Sequence, residues 1–176
     1  MEIANTVIFD AMFTCHEIFA FMSASLGQEL LDEIFNSDKA LYRSTLSTVA
    51  EARKVRPVFL ERQPRPQRQG TMLAVLGTPR FEEAAASLLR TWLLKSQSTL
   101  LSEFLDLTEI PHKAGVVEDF PAGIDDAKLK SAIESLLVKF SHQKVAVYLH
   151  TFYATSDVRW PNLAASLQED QRLQLG

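Results

Sequence analysis

Apolar residues recur at intervals of three and four along almost the whole 176-residue chain, and this spacing restricts the fold more than any other feature. The first such stripe occupies positions 3, 7, 8, 12, 15, 18, 19, 22 and 26. An apolar stripe on a helix has to be buried against another element. The sequence therefore predicts an all-α protein, a multi-helix bundle of about seven to eight helices arranged in helical hairpins. A degenerate solenoid of unequal helix pairs is the alternative.

The first predicted helix, from Ile3 to about Leu26, is apolar around much of its circumference. Gly27 is expected to end it, with a short helix following through Phe35. Three short N-terminal helices cannot cover so wide a surface, so we expect it to contact the C-terminal bundle or a second subunit. A C2 homodimer is the commonest such arrangement. The residues predicted for this interface are Ile3, Val7, Phe9, Phe13 and Phe21.

Several later helices carry recognisable start signals. Asp38, Asp125 and Ser141 are expected to cap helices, and Thr78-Pro79 to open another. Ser96–Ser98 predicts a bend between two helices of a hairpin. Residues 145–153 are rich in β-branched and aromatic residues and alone would suggest a strand. No partner strand is evident apart from a two-valine run, so the prediction there is a helix.

A segment rich in proline and arginine divides the chain. Pro57, Pro64 and Pro66 disfavour a continuous helix, because proline in a helix interior costs about 3 kcal/mol. We therefore expect an N-terminal helical unit over 1–56, a connector over 57–70 and a C-terminal helical bundle over 71–176, together forming one compact domain. A short helix is predicted over 71–76, just after the connector.

Charge is unevenly distributed around this connector. The net charge is −4, but residues 53–68 hold six bases against one acid, Glu61, which leaves 12 bases and 21 acids elsewhere. The six bases are candidate anion-binding residues, namely Arg53, Lys54, Arg56, Arg62, Arg65 and Arg68. Phosphate contacts would make binding strongly salt-dependent. An acidic chain with one nearby aromatic residue, Phe59, and no known nucleic-acid-binding motif does not favour nucleic acid. A solvated linker, or a strip of salt bridges between subunits, therefore ranks higher.

The stretch from Glu109 to Gly123 is predicted to be a long loop, and loops of this length are usually functional or held by their own contacts. His112, Glu118 and Asp119 lie in it and provide the residue types that acid–base catalysis needs. Glu109 and His112 also match the Glu-x-x-His pattern of carboxylate di-iron sites. Only one copy is present, and Pro111 interrupts it, so no metal is predicted.

The remaining reactive residue types give little support for catalysis. Cys15 and His16 point about 100° apart on a helix, so they cannot face each other as a nucleophile and its base, and Cys15 is predicted to be buried. His142 and His150 are misaligned as a ligand pair. Glycine-rich phosphate loops, Gly-x-Ser-x-Gly and Cys-x-x-Cys are absent. We expect no cofactor, and these residues favour a non-enzymatic function over an enzymatic one.

The N-terminus does not resemble a signal peptide or a membrane span. No Lys or Arg precedes Lys39, and Asp10 and Glu17 interrupt the apolar run. A single cysteine excludes an internal disulfide. These features predict a soluble, cytoplasmic protein without a membrane partner.

The sequence ranks three functions. A non-enzymatic helical protein–protein interaction or assembly module comes first. An anion-binding or nucleic-acid-associated module using Arg53 to Arg68 comes second. An enzyme or ligand-binding protein with its site in the Glu109 to Gly123 loop comes third.

Overall fold

The computed structural model describes residues 12–176. Every secondary-structure element in that range is a helix, and no β-strand is present there. The predicted all-α bundle is confirmed, with ten α-helices in the described range rather than seven to eight. They are α1 Cys15–Phe21, α2 Ala24–Ser37, α3 Lys39–Ala52, α4 Pro57–Glu61, α5 Arg65–Leu76, α6 Glu82–Lys95, α7 Ser98–Leu107, α8 Asp126–Lys139, α9 His142–Thr155 and α10 Pro161–Glu169. Short 3₁₀ helices cover Pro79–Phe81 and Gln171–Leu173.

The predicted helix from Ile3 to Leu26 is wrong in its described part, because the helix is interrupted before Leu26. Met22 and Ser23 are extended, and the Ser23 hydroxyl accepts a hydrogen bond from the Leu26 amide at 3.2 Å, which starts α2. Gly27 does not end a helix but lies buried inside α2. A Cβ on Gly27 would lie 2.8 Å from the Leu73 methyl carbons, so glycine allows α2 and α5 to approach closely.

The connector is more helical than its prolines suggested. Pro57 and Pro66 both occupy the first turn of a helix, where the missing amide proton would have had no intrahelical partner. The predicted short helix over 71–76 is the second half of α5, which begins at Arg65. The division into segments 1–56, 57–70 and 71–176 stays a prediction.

Two helices end on residues other than glycine in the left-handed conformation. Lys54 follows α3 with φ +56°, and Glu109 follows α7 with φ +56°. At the first of these ends, the Lys54 amide donates to the Glu51 carbonyl and the Val55 amide to the Ala50 carbonyl, both at 3.0 Å. The same pattern recurs at Glu109, so both ends are Schellman motifs. Glycine is the usual residue here because it carries no Cβ penalty.

The centre of the bundle is formed by α6 and α9. Helix α9 packs against α1, α6, α8 and α10, and all nine residues from Val145 to Tyr153 are buried. A helix enclosed on every side reads as a continuous apolar run, which explains its resemblance to a strand. The helix predicted for 145–153 is confirmed.

Most predicted start signals are also confirmed. The side chains of Asp38, Asp125 and Ser141 each accept a hydrogen bond from an amide three residues ahead. Thr78 and Pro79 also open a helical segment, the 3₁₀ helix Pro79–Phe81 that leads into α6. The Thr78 hydroxyl does not cap it, however, because it donates to the Val75 carbonyl at 2.7 Å. The bend between α6 and α7 falls at residues 96–97.

The long loop after α7 is held in place by neighbouring side chains. The indole of Trp160 donates to the Pro121 carbonyl, and the Asn162 side-chain amide donates to the Ile124 carbonyl, both at 2.8 Å. Within the loop, the backbones of Lys113 and Val116 exchange two hydrogen bonds. This order positions the loop residues relative to α7 and α9.

None of the helices within residues 12–176 combines the length and the apolar composition that crossing a membrane requires.

Candidate functional site

The loop residues predicted for acid–base chemistry share one open groove but do not form a catalytic pair. His112, Glu118 and Asp119 line a surface groove of about 360 Å³. The carboxylate that His112 contacts belongs to Asp106 of α7, whose Oδ1 lies 2.8 Å from the ring Nε2. The Gly115 amide donates to the ring Nδ1 at 3.0 Å. Since Nδ1 accepts, Nε2 carries the proton, and both ring nitrogens are engaged in holding the loop.

The acidic residues of the loop do not assemble a metal site. Glu118 and Asp119 are exposed, and Glu109 lies beyond the end of α7, where its side chain pairs with Lys128 at 2.5 Å. That ammonium group holds the pKa of Glu109 below its usual value. Glu109 and His112 therefore do not share a helix face. Within residues 12–176, no group of three His, Cys, Asp or Glu side chains is arranged to hold a metal ion.

A polar cluster that the sequence did not predict joins α1 to α6. Both oxygens of the Glu82 carboxylate accept backbone hydrogen bonds at 2.8 Å, one from the Cys15 amide and one from the His16 amide. The His16 ring Nδ1 lies 2.6 Å from Glu82 Oε2. Cys15 and His16 therefore meet the same carboxylate rather than each other. No local pattern signals these contacts, because Cys15 and His16 lie 67 and 66 positions before Glu82.

The electrostatics of this cluster argue for a structural role. Burial, reinforced by the adjacent Glu82 charge, raises the pKa of the Cys15 thiol to about 12. Burial alone would raise the pKa of Glu82 too, but the hydrogen bonds from His16 and Cys15 outweigh it and lower that pKa. A buried thiol with so high a pKa supplies no thiolate nucleophile.

The six bases of residues 53–68 fall into two groups. Arg65 pairs with Asp32, with Nε 2.8 Å from Oδ1, and its guanidinium lies over the Phe35 ring. Arg68 donates to the Tyr42 hydroxyl at 3.0 Å and to the Glu61 carbonyl at 3.2 Å. These two side chains therefore attach α5 to the rest of the bundle.

The other four bases lie on either side of an exposed apolar pair in the chain. Arg53, Lys54, Arg56 and Arg62 are exposed, and their side chains make no hydrogen bond or ion pair with the described residues. Between them in the chain, α4 exposes 44% of Val58 and 57% of Phe59, while Leu60 is buried and anchors the helix. We call these six exposed residues the α4 surface. Apolar side chains with free cations around them are typical of an interaction surface.

The backbone also contributes to the α4 surface. Lys54 occupies the left-handed position that reverses the chain between α3 and α4. A lysine at this position costs about 1 kcal/mol relative to glycine. Sequence reasoning predicted the basic segment, but it could not separate the four free cations from the two that are engaged.

The predicted N-terminal interface is described only in part. Ile3, Val7 and Phe9 lie outside the described residues. Phe13 and Phe21 stack with ring centroids 5.1 Å apart, and Phe21 is 51% exposed. The buried face of α1, by contrast, packs against α5, α6 and α9. One exposed aromatic ring, that of Phe21, therefore remains at the end of α1.

Comparisons with protein-family models, curated proteins and solved structures gave no match for this chain. Function has to be argued from the described residues alone. Among the surfaces considered above, the α4 surface combines exposed apolar area with unpaired charge.

Proposed function

We propose that the protein is a helical protein–protein interaction module that binds an acidic, partly apolar segment of a partner through the α4 surface. The observation that carries this proposal is the set of four exposed, unpaired cations that flank the exposed Val58 and Phe59 in the chain. Aromatic side chains supply much of the binding energy at interfaces, and surrounding charges select the partner and speed association.

Charge favours a short acidic protein segment over a nucleic acid. The four cations lie on a protein whose net charge is −4, so an extended polyanion would meet repulsion beyond this surface. Phe59 is the one aromatic residue of the basic segment, whereas single-stranded nucleic acids usually stack on several. A segment that places a leucine or aromatic residue against Phe59 and glutamates against the cations matches both features.

The test uses two labelled probes of equal charge, a peptide of glutamates with leucines at helical spacing and an oligothymidine. Fluorescence anisotropy should show tighter binding of the peptide. Replacing Arg56 and Arg62 with Ala should weaken it about fivefold or more, since each exposed ion pair contributes up to about 1 kcal/mol. Phe59→Ser should weaken it as well.

A charge-matched control separates a local surface from a general charge effect. Arg43 and Lys130 are exposed and make no hydrogen bond or ion pair with the described residues, so the variant Arg43→Ala/Lys130→Ala changes net charge equally. It should bind the peptide like the parent protein. Equal losses in the two double variants, tighter binding of the oligothymidine, or binding of neither probe would each overturn the proposal.

We infer self-assembly as a second function, because the Phe13–Phe21 pair exposes an aromatic ring at the end of α1. Light scattering should give a homodimer that persists in high salt, and Phe21→Ser should shift it toward monomer. A parent protein that is monomeric at every concentration would exclude the homodimer.

A further inference from the structure

An apolar cavity of about 230 Å³, open to the surface on one side, lies between α6, α7 and α9 beside the long loop. Its walls include Leu93, Leu101, Phe120, Tyr148, Thr151 and Phe152. Phe120 comes from the loop and packs edge-on against Phe152, with ring centroids 5.1 Å apart. A cavity of about 150 Å³ holds benzene, so this one suits about nine or ten non-hydrogen atoms.

Two buried hydroxyl groups in this wall have no hydrogen-bond partner among the described residues. They are those of Tyr148 and Thr151, and each residue is 1% exposed. Neighbouring helical threonines behave differently, because Thr108 and Thr155 each donate to the carbonyl four residues back. A buried hydroxyl without a partner is destabilising, so each is expected to have one when the protein functions.

The residues that carry the two hydroxyls both line this cavity. Tyr148 and Thr151 are three residues apart on α9 and so lie on the same helix face. Burial raises the pKa of Tyr148 well above its usual value, so its hydroxyl keeps its proton and can donate. Each hydroxyl therefore has a proton to donate to an acceptor group in the cavity.

The charge around the cavity selects an anionic acceptor. Arg90 is exposed, lines the cavity, and makes no ion pair or hydrogen bond with the described residues. No aspartate or glutamate is among the lining residues. We propose that this cavity binds a small monocarboxylate with an apolar body, such as a medium-chain fatty acid, whose carboxylate accepts from the Tyr148 and Thr151 hydroxyls near Arg90.

Calorimetric titration with octanoate and octanol tests this proposal. Octanoate should bind more tightly than octanol, because only the carboxylate gains from Arg90 and from two charge-assisted hydrogen bonds. The variant Tyr148→Phe/Thr151→Val removes both hydroxyls and nearly preserves shape. It should lose at least about tenfold in octanoate affinity. Arg90→Gln should weaken octanoate binding but leave octanol binding unchanged.

The same variants control for folding. Removing unpaired hydroxyls should leave the melting temperature of the ligand-free double variant equal to or above that of the parent. Thr155→Val is the matched control, because Thr155 also lines the cavity but its hydroxyl already donates to the Thr151 carbonyl at 2.8 Å. This control should retain octanoate affinity. Absence of octanoate binding, equal affinity for octanol, or full octanoate affinity in the double variant would overturn the proposal.

Discussion

Glu82 is predicted to stabilise the fold by holding the start of α1 against α6. Its two carboxylate oxygens accept from the Cys15 and His16 amides at 2.8 Å, and the His16 ring adds a contact at 2.6 Å. These amides belong to the first turn of α1, where no intrahelical acceptor exists. Glu82→Gln retains one acceptor oxygen but places a side-chain NH₂ where the second oxygen was.

The expected loss follows from these contacts. A hydrogen bond to a charged group contributes about 1.5–3 kcal/mol, and at least one is lost in Glu82→Gln. The Glu82 side chain is 40% exposed, so water partly replaces the missing acceptor and the lower end of that range applies. We expect the free energy of unfolding to fall by about 1.5–2 kcal/mol. In a chain of this size, that lowers the melting temperature by about 3–8 °C.

The effect should depend on pH in a defined direction. The hydrogen bonds from His16 and Cys15 lower the pKa of Glu82 below 4.5, despite the opposing effect of burial. The stabilisation is therefore complete above pH 4.5 and is lost as the pH falls through the lower pKa of the folded state. The stability difference between the parent protein and Glu82→Gln should shrink over that acidic range.

Urea unfolding followed by circular dichroism, repeated from pH 7 to pH 3, measures both effects. Glu83→Gln is the matched control, because Glu83 lies in the same turn but is exposed and makes no hydrogen bond or ion pair with the described residues. It should cost no more than a few tenths of a kcal/mol. A Glu82→Gln stability within about 0.5 kcal/mol of the parent protein, an equal loss in both variants, or a difference that does not vary with pH would contradict this structural role for Glu82.

Three further predictions concern the core. Leu149 has no exposed surface, so Leu149→Ala should lower the free energy of unfolding by about 2–5 kcal/mol in the same urea assay. Val138 is 85% exposed, so the control Val138→Ala should change it by less than about 0.5 kcal/mol. Burial lowers the pKa of His150 despite the bond to the Leu173 carbonyl, so the neutral ring stabilises the fold above pH 6.5 and this is lost at lower pH. His150→Gln should therefore show a flatter dependence of stability on pH between 7 and 5, and parallel curves would contradict this. Cys15 is 1% exposed, and burial is the main cause that raises its pKa to about 12. It should therefore resist thiol reagents at pH 8 until the protein unfolds. Rapid modification of the native protein would disprove this.

Helix ends show where sequence reasoning succeeded and where it failed. The caps at Asp38, Asp125 and Ser141 were predictable because each bond joins residues three positions apart. Gly27 misled because its missing Cβ serves packing against Leu73 rather than a helix stop. Lys54, a left-handed helix stop without glycine, carries no signal in the sequence.

The candidate sites show the same division. Sequence alone indicated the basic segment and the long loop, since both are marked by composition. It could not show that Arg65 and Arg68 are engaged within the fold, because Asp32 and Tyr42 lie 33 and 26 positions away. Nor could it show that the loop covers a cavity next to α9, since the residues that enclose it come from four separate segments.

The order of helices and most of their start signals were determined by the sequence itself, because helix periodicity and capping depend on residues three or four positions apart. Tertiary packing decided which charges are neutralised, which hydroxyls lack partners and which faces stay exposed. The bonds between Glu82 and α1 join residues 66 and 67 positions apart, and no local pattern encodes such a contact.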